Sequence, residues 1–115
     1  MGELTAEGQG STMYKLCFFV PPSHVEQVKA AVFAAGGGRM GGYEHCSWQV
    51  LGQGQFRPVS GSQPFIGTQG TLEILQEWRV ELVVADEFIA PVIAALKHSH
   101  PYETPAYDAW RLQDL

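Results

Sequence analysis

The sequence predicts an α+β domain with strands and helices in the order βαββαβ, and three observations carry that reading. Trp78, Val80, Leu82 and Val84 alternate with Arg79, Glu81 and Val83, the period-two signature of a half-buried strand. Val25, Val28, Val32 and Ala35 share one helical face, and so do Phe88, Ile89, Val92, Ile93 and Leu96 in a later segment. Between these segments Gly52, Gly54, Gly61, Gly67 and Gly70, with Pro58 and Pro64, divide a stretch that contains Phe56, Phe65 and Ile66. A chain of 115 residues, 45% of them hydrophobic, can build one two-layer core and has no length for a second domain.

In chain order, Met1 to Thr12 is small, polar and aperiodic and reads as a disordered leader to a domain over residues 13–115. Tyr14 to Val20 is an aromatic and apolar strand, ended by Pro21-Pro22. Ser23-His24-Val25-Glu26 has the reciprocal N-cap pattern for the first helix, in which the Ser23 hydroxyl accepts from the Glu26 amide and the Glu26 carboxylate reaches back. Gly36-Gly37-Gly38 stops that helix, because glycine takes the left-handed C-terminal position without a Cβ penalty. Cys46 to Leu51 is the second strand, and glycine then dominates up to Gly70. After the alternating third strand, Asp86 is placed to cap the second helix. Pro91 would kink that helix unless its regular part begins near Phe88 or Ile89. Ala106 to Leu112 closes the sheet as a fourth strand.

With right-handed crossovers this order gives a four-stranded antiparallel sheet with both helices on one face, the ferredoxin-like sandwich. The other face is left bare. Trp48, Phe18 or Phe19, Trp78 or Arg79, and Trp110 are candidates to lie on it, and burying such aromatic area calls for oligomerisation sheet to sheet.

Charge and composition narrow the function classes. A net charge of -5 with only seven Lys and Arg residues supplies no phosphate-tracking groove, so no nucleic acid partner is expected. No apolar run has the length of a membrane span, and the N-terminus lacks the basic-then-apolar order of a signal peptide, so a soluble cytoplasmic protein is expected. Cys17 and Cys46 belong to no CxxC pair and are expected as free thiols.

The densest chemistry lies in His100-Pro101-Tyr102-Glu103-Thr104-Pro105-Ala106-Tyr107. Each proline pushes the residue before it towards extended geometry, so His100 should leave the helix and the backbone between the prolines should be stiff. A stiff segment with an imidazole, a phenol and a carboxylate is either a structural corner or a site. A metal centre could draw on His45, Cys46, His98, His100 and Glu103, although His98 and His100 point to different sides of a continuous helix. No catalytic residue stands out: His45 and Cys46 are neighbours on an extended segment and face opposite ways, so the imidazole does not activate the thiol. The Gly52 to Gly70 stretch lacks the Gly-Lys-Ser/Thr of a phosphate loop.

Five ordered motifs carry a family resemblance: Gly42-Tyr43-Glu44-His45-Cys46-Ser47-Trp48, Gly52-Gln53-Gly54-Gln55-Phe56-Arg57-Pro58, Gly61-Ser62-Gln63-Pro64-Phe65-Ile66-Gly67, Glu77-Trp78-Arg79-Val80-Glu81 and His100-Pro101-Tyr102-Glu103. Over Met13 to Leu112 the chain resembles the insert domain of Nif-three-like proteins, in the stand-alone form called YqfO-like. That domain is similar to the PII signalling proteins and the CutA divalent-cation-tolerance proteins, both trimers of ferredoxin-like subunits, and CutA carries a similar His-Pro-Tyr-Glu turn. The family pattern commonly has a second acidic residue after Glu103, where this chain has Thr104.

The resemblance implies a homotrimeric binding or regulatory protein that is not an enzyme, with a small-molecule ligand or a divalent metal held at subunit clefts. Arg57, Tyr102 and Glu103 are the ligand-binding residues on this reading, and His45 and His100 the metal ligands. Tyr102 and Glu103 should contact a neighbouring subunit or the glycine-rich stretch. The alternative is a small enzyme of the dimeric ferredoxin-like barrel type.

Overall fold

The computed structural model describes residues 12–115, so the expected leader lies outside it apart from Thr12, whose carbonyl accepts the Asp86 amide at 2.6 Å. Strand β1 (Met13–Val20) leads through Pro21-Pro22 into helix α1 (Val25–Ala34). A hairpin of β2 (Trp48–Phe56) and β3 (Glu73–Ala85) follows, then a 3-10 turn (Asp86–Phe88), helix α2 (Ile89–Ser99) and β4 (Tyr107–Arg111). The sheet order is β2-β3-β1-β4 with every neighbouring pair antiparallel, which is the expected ferredoxin-like arrangement.

Register decides which side chains meet the helices. Residues directly opposite one another in an antiparallel pair share a face, and Leu16, Phe18 and Val20 stand opposite Leu82, Val80 and Trp78. These side chains pack with Val25, Val28 and Val32 of α1 and Val92 and Leu96 of α2 as one core. Phe18 is therefore a core residue and Phe19 faces away, as does Arg79 opposite it, while Trp78 packs against the core. No helix among the described residues is long and apolar enough to cross a membrane.

The far face of the sheet is less bare than the sequence implies. Trp48, Val50 and Trp110 are exposed, but Lys15, Arg79, Glu81 and Asp108 stand among them. The Arg79 guanidinium meets Glu81 at 3.0 Å, and the small thiol of Cys17, opposite Glu81 and Asp108, lies buried on that face. Burial raises the thiol pKa above its usual 9.0, against the pull of Arg79. Both cysteines are free thiols, as expected.

Three local expectations fail for identifiable reasons. Ser23 does not cap α1: its hydroxyl sits 2.8 Å from His24 Nδ1, and His24 occupies the N-cap position without a side-chain bond to the helix. Asp86 does not cap α2 either, because its carboxylate pairs with Arg111 of β4 at 3.1 Å. Strand β2 does not stop at Gly52. It runs on to Phe56 because β3 continues opposite it to Glu73, so each added residue closes ladder bonds that offset the entropy of ordering glycine. Pro91 causes no break: α2 begins at Ile89, which leaves Pro91 in the first turn, where its missing N–H has no helical carbonyl to meet.

Candidate functional site

The site begins where α2 ends. His100 has the extended geometry that Pro101 demands, with φ -74° and ψ 136°, and its ring is buried at 6% exposure. Nε2 lies 2.6 Å from the carbonyl of Phe19 and Nδ1 3.1 Å from the amide of Tyr102. A carbonyl only accepts and an amide N–H only donates, so the ring is the neutral tautomer with its proton on Nε2. Desolvation lowers the pKa below 6.5, against the opposing effects of the Phe19 bond and the Glu77 charge.

Held by that ring, the next residues reach across to the hairpin. The Tyr102 hydroxyl donates to Glu77 Oε2 at 2.9 Å, and its ring meets those of Phe56 and Phe65 in tilted contacts at centroid distances of 6.2 and 6.5 Å. Burial, followed by the bond to Glu77 and its charge, raises the phenol pKa well above the ordinary 10.0. Glu103 Oε1 accepts the backbone amide of Gln63 at 2.8 Å, so the turn meets the glycine-rich excursion in the way the sequence leads one to expect.

The excursion is itself tied down. Gly70 N–H donates to the Pro58 carbonyl, the Gln69 side-chain amide to the Ser62 carbonyl at 2.8 Å, and the Ser62 hydroxyl to the Val59 carbonyl at 2.7 Å. Phe65 sets its edge against His24 at 5.3 Å, which fastens the excursion to the start of α1. Turn, excursion and hairpin thus enclose a cleft of about 270 Å³, walled by Phe56, Pro58, Phe65 and Tyr102 and bearing the carboxylates of Glu77 and Glu103.

Of the residues singled out in the sequence, Tyr102 and Glu103 line this cleft. Arg57 stands exposed beside two lining residues, Phe56 and Pro58, without lining the cleft itself. His45 and His100 are not brought together: His45 stacks on Phe33 of α1 at 4.9 Å, whereas both nitrogens of His100 are engaged by backbone. Among the described residues no three His, Cys, Asp or Glu side chains are grouped to hold a metal ion. The sequence reading missed Glu77, and the available signal was Gly54. A glycine inside a strand marks a close approach, and here a Cβ at Gly54 would run into the Glu77 carboxylate.

With this geometry in hand, the comparisons with known proteins are specific. No protein-family profile matches the chain. It is 43% identical over 110 residues to the GTP cyclohydrolase 1 type 2 homolog of Halalkalibacterium halodurans, a match covering 96% of this chain and 30% of that protein. A Bacillus cereus protein related to NIF3 superposes with a TM-score of 0.78 and 36% identity, over 97% of this chain and 29% of the other. The chain therefore spans less than a third of the length of these relatives. Two shorter structures share the fold over most of their own length. The periplasmic divalent cation tolerance protein CutA of Archaeoglobus fulgidus has a TM-score of 0.61 and 16% identity, covering 89% of this chain and 85% of its own. The Bacillus subtilis GlnK–ATP complex has a TM-score of 0.56 and 11% identity, covering 88% and 83%.

Proposed function

Because this chain is related to the NIF3-type proteins and has the fold of CutA and the PII-type protein GlnK, we propose that it is a self-associating binding module of regulatory type, a homotrimer with its ligand held at subunit clefts. The observation that carries the reading is the cleft itself. Its walls come from three separate parts of the chain, joined by two hydrogen bonds: Tyr102 to Glu77 and Glu103 to Gln63. Concave, largely apolar sites with a few fixed polar groups are the usual form of small-molecule pockets.

The exposed indoles of Trp48 and Trp110 on the helix-free face support self-association, since each offers large apolar area with one donor to satisfy. Engagement of both His100 nitrogens by backbone favours an organic ligand over a metal ion. Free thiols at Cys17 and Cys46 fit a reducing, cytoplasmic setting.

Multi-angle light scattering at micromolar concentration tests the assembly, with three times the chain mass expected. A clean monomer overturns the trimer, and a stable dimer with a closed apolar pocket in each subunit would favour the barrel-type enzyme instead.

A further inference from the structure

We infer that the cleft takes an organic cation, a ligand that joins a flat apolar body to a protonated amine or a quaternary ammonium. This rests on the reading that the cleft is a ligand site and adds the chemical class. Three features carry it.

The first is uncompensated charge. Glu77 and Glu103 both line the cleft, no Lys or Arg lines it, and among the described residues neither carboxylate has a cationic partner within 4.0 Å. Their one recorded bond each comes from a neutral donor, the Tyr102 hydroxyl and the Gln63 amide, and goes to a single oxygen. Glu77 Oε1 lies against Gly54 at the edge of the cleft, and Glu103 is exposed, so neither carboxylate is closed off by a cation of this chain.

The second is the wall. Phe56, Phe65 and Tyr102 surround the same space, and aromatic faces attract a cation that has been taken out of water. A bare divalent ion is a poor fit, because hard cations collect six or more oxygen ligands and this wall is mostly apolar. The third is what the cleft withholds from an anion. The Gln63 amide, the backbone donor on the excursion that faces the turn, is already spent on Glu103, and no guanidinium or ammonium stands in the wall.

Three probes that share one ring and differ in charge test the inference on the whole chain: phenethylamine, 2-phenylethanol and phenylacetate. Binding is read by calorimetry and by the Gln63 amide signal in nitrogen-edited NMR. Phenethylamine should bind at least about tenfold more tightly than the alcohol, and phenylacetate more weakly than either. Glu77→Gln and Glu103→Gln keep an acceptor for Tyr102 and Gln63. Each should reduce amine affinity about tenfold while leaving the alcohol unchanged. Melting curves confirm that both variants are folded.

Equal or reversed ranking of the probes overturns the charge class alone, since a Gln63 shift with the alcohol or the acid still marks a ligand cleft. Silence of all three probes overturns both readings. If the parent binds none of them and the two glutamine variants dissociate, the cleft is filled by a neighbouring subunit and the inference is wrong.

Discussion

His100 donates from Nε2 to the carbonyl of Phe19 at 2.6 Å, joining the end of α2 to the end of β1 across 81 positions of sequence. The same ring receives the Tyr102 amide on Nδ1, so one neutral imidazole satisfies two backbone groups and aims the residues that line the cleft. A protonated ring would have no lone pair for the Tyr102 amide.

That arrangement makes stability depend on pH. Burial depresses the His100 pKa below the 6.5 of an unfolded histidine, so the unfolded chain binds the proton first. The contribution is fully present above about pH 6.5 and is lost as pH falls from there through the depressed folded value. The melting temperature should drop between pH 7 and pH 5, and His100→Gln should flatten that slope while lowering stability at neutral pH by about 3 kcal/mol, because two backbone partners lose their ring. An unchanged slope in the variant would assign the acid sensitivity to other groups.

Gly54 and Tyr102 should behave as a coupled pair although they do not touch. A methyl at position 54 drives the Glu77 carboxylate out of the place where the Tyr102 hydroxyl reaches it. Gly54→Ala and Tyr102→Phe should each cost about 1 kcal/mol, and the double variant little more than either. Urea denaturation of the four proteins in the cycle measures this, and strict additivity would show that Glu77 keeps its bond in the alanine variant.

Gly38 is the least replaceable glycine for which a backbone neighbour sets the limit. It has φ +76°, its N–H donates to the Val83 carbonyl and its carbonyl accepts the Cys46 amide, and a Cβ there would meet the Cys46 carbonyl oxygen at 2.8 Å. Gly38→Ala should destabilise by about 2–4 kcal/mol, combining left-handed strain with a clash that only backbone movement relieves. Gly41, at φ +57° with nothing within 4 Å, is the control, and alanine there should cost only about 1 kcal/mol.

Trp48 and Trp110, 61% and 44% exposed, should lose that exposure on assembly. Trp48→Glu and Trp110→Glu are expected to shift light-scattering mass to that of a single chain without loss of helical circular dichroism. If both variants keep the parental mass, the helix-free face is not the interface.

The fold was legible because its signals are local and periodic. The alternation from Trp78 to Val84 and the spacing of Val25, Val28 and Val32 fix faces before any contact is known. Capping was misread because two acceptors and donors compete for each polar side chain: Ser23 turns to His24, and Asp86 turns to an arginine 25 positions away. Of the cleft, Tyr102 and Glu103 could be picked out because two prolines frame them. Gln63 could not, and for Glu77 the glycine at position 54 signals a close approach without naming the side chain that makes it, since both roles arise only when β2 and β3 pair in one register and the excursion folds back to the turn.

Strand β3 is continuous over Glu73–Ala85, yet its two halves have different company. Residues 78–81 are flanked by both β1 and β2 and residues 82–85 pair with β1, while residues 73–77 pair with β2 alone. Amide hydrogens in the inner half should exchange with solvent only on global unfolding, whereas those of the outer half can exchange through separation of a two-stranded ribbon. Glu77 sits on the outer side of that divide and is held from above by Tyr102. One uninterrupted strand thus carries a slow clock and a fast one, and whatever occupies the cleft would be felt first as slower exchange in the fast half.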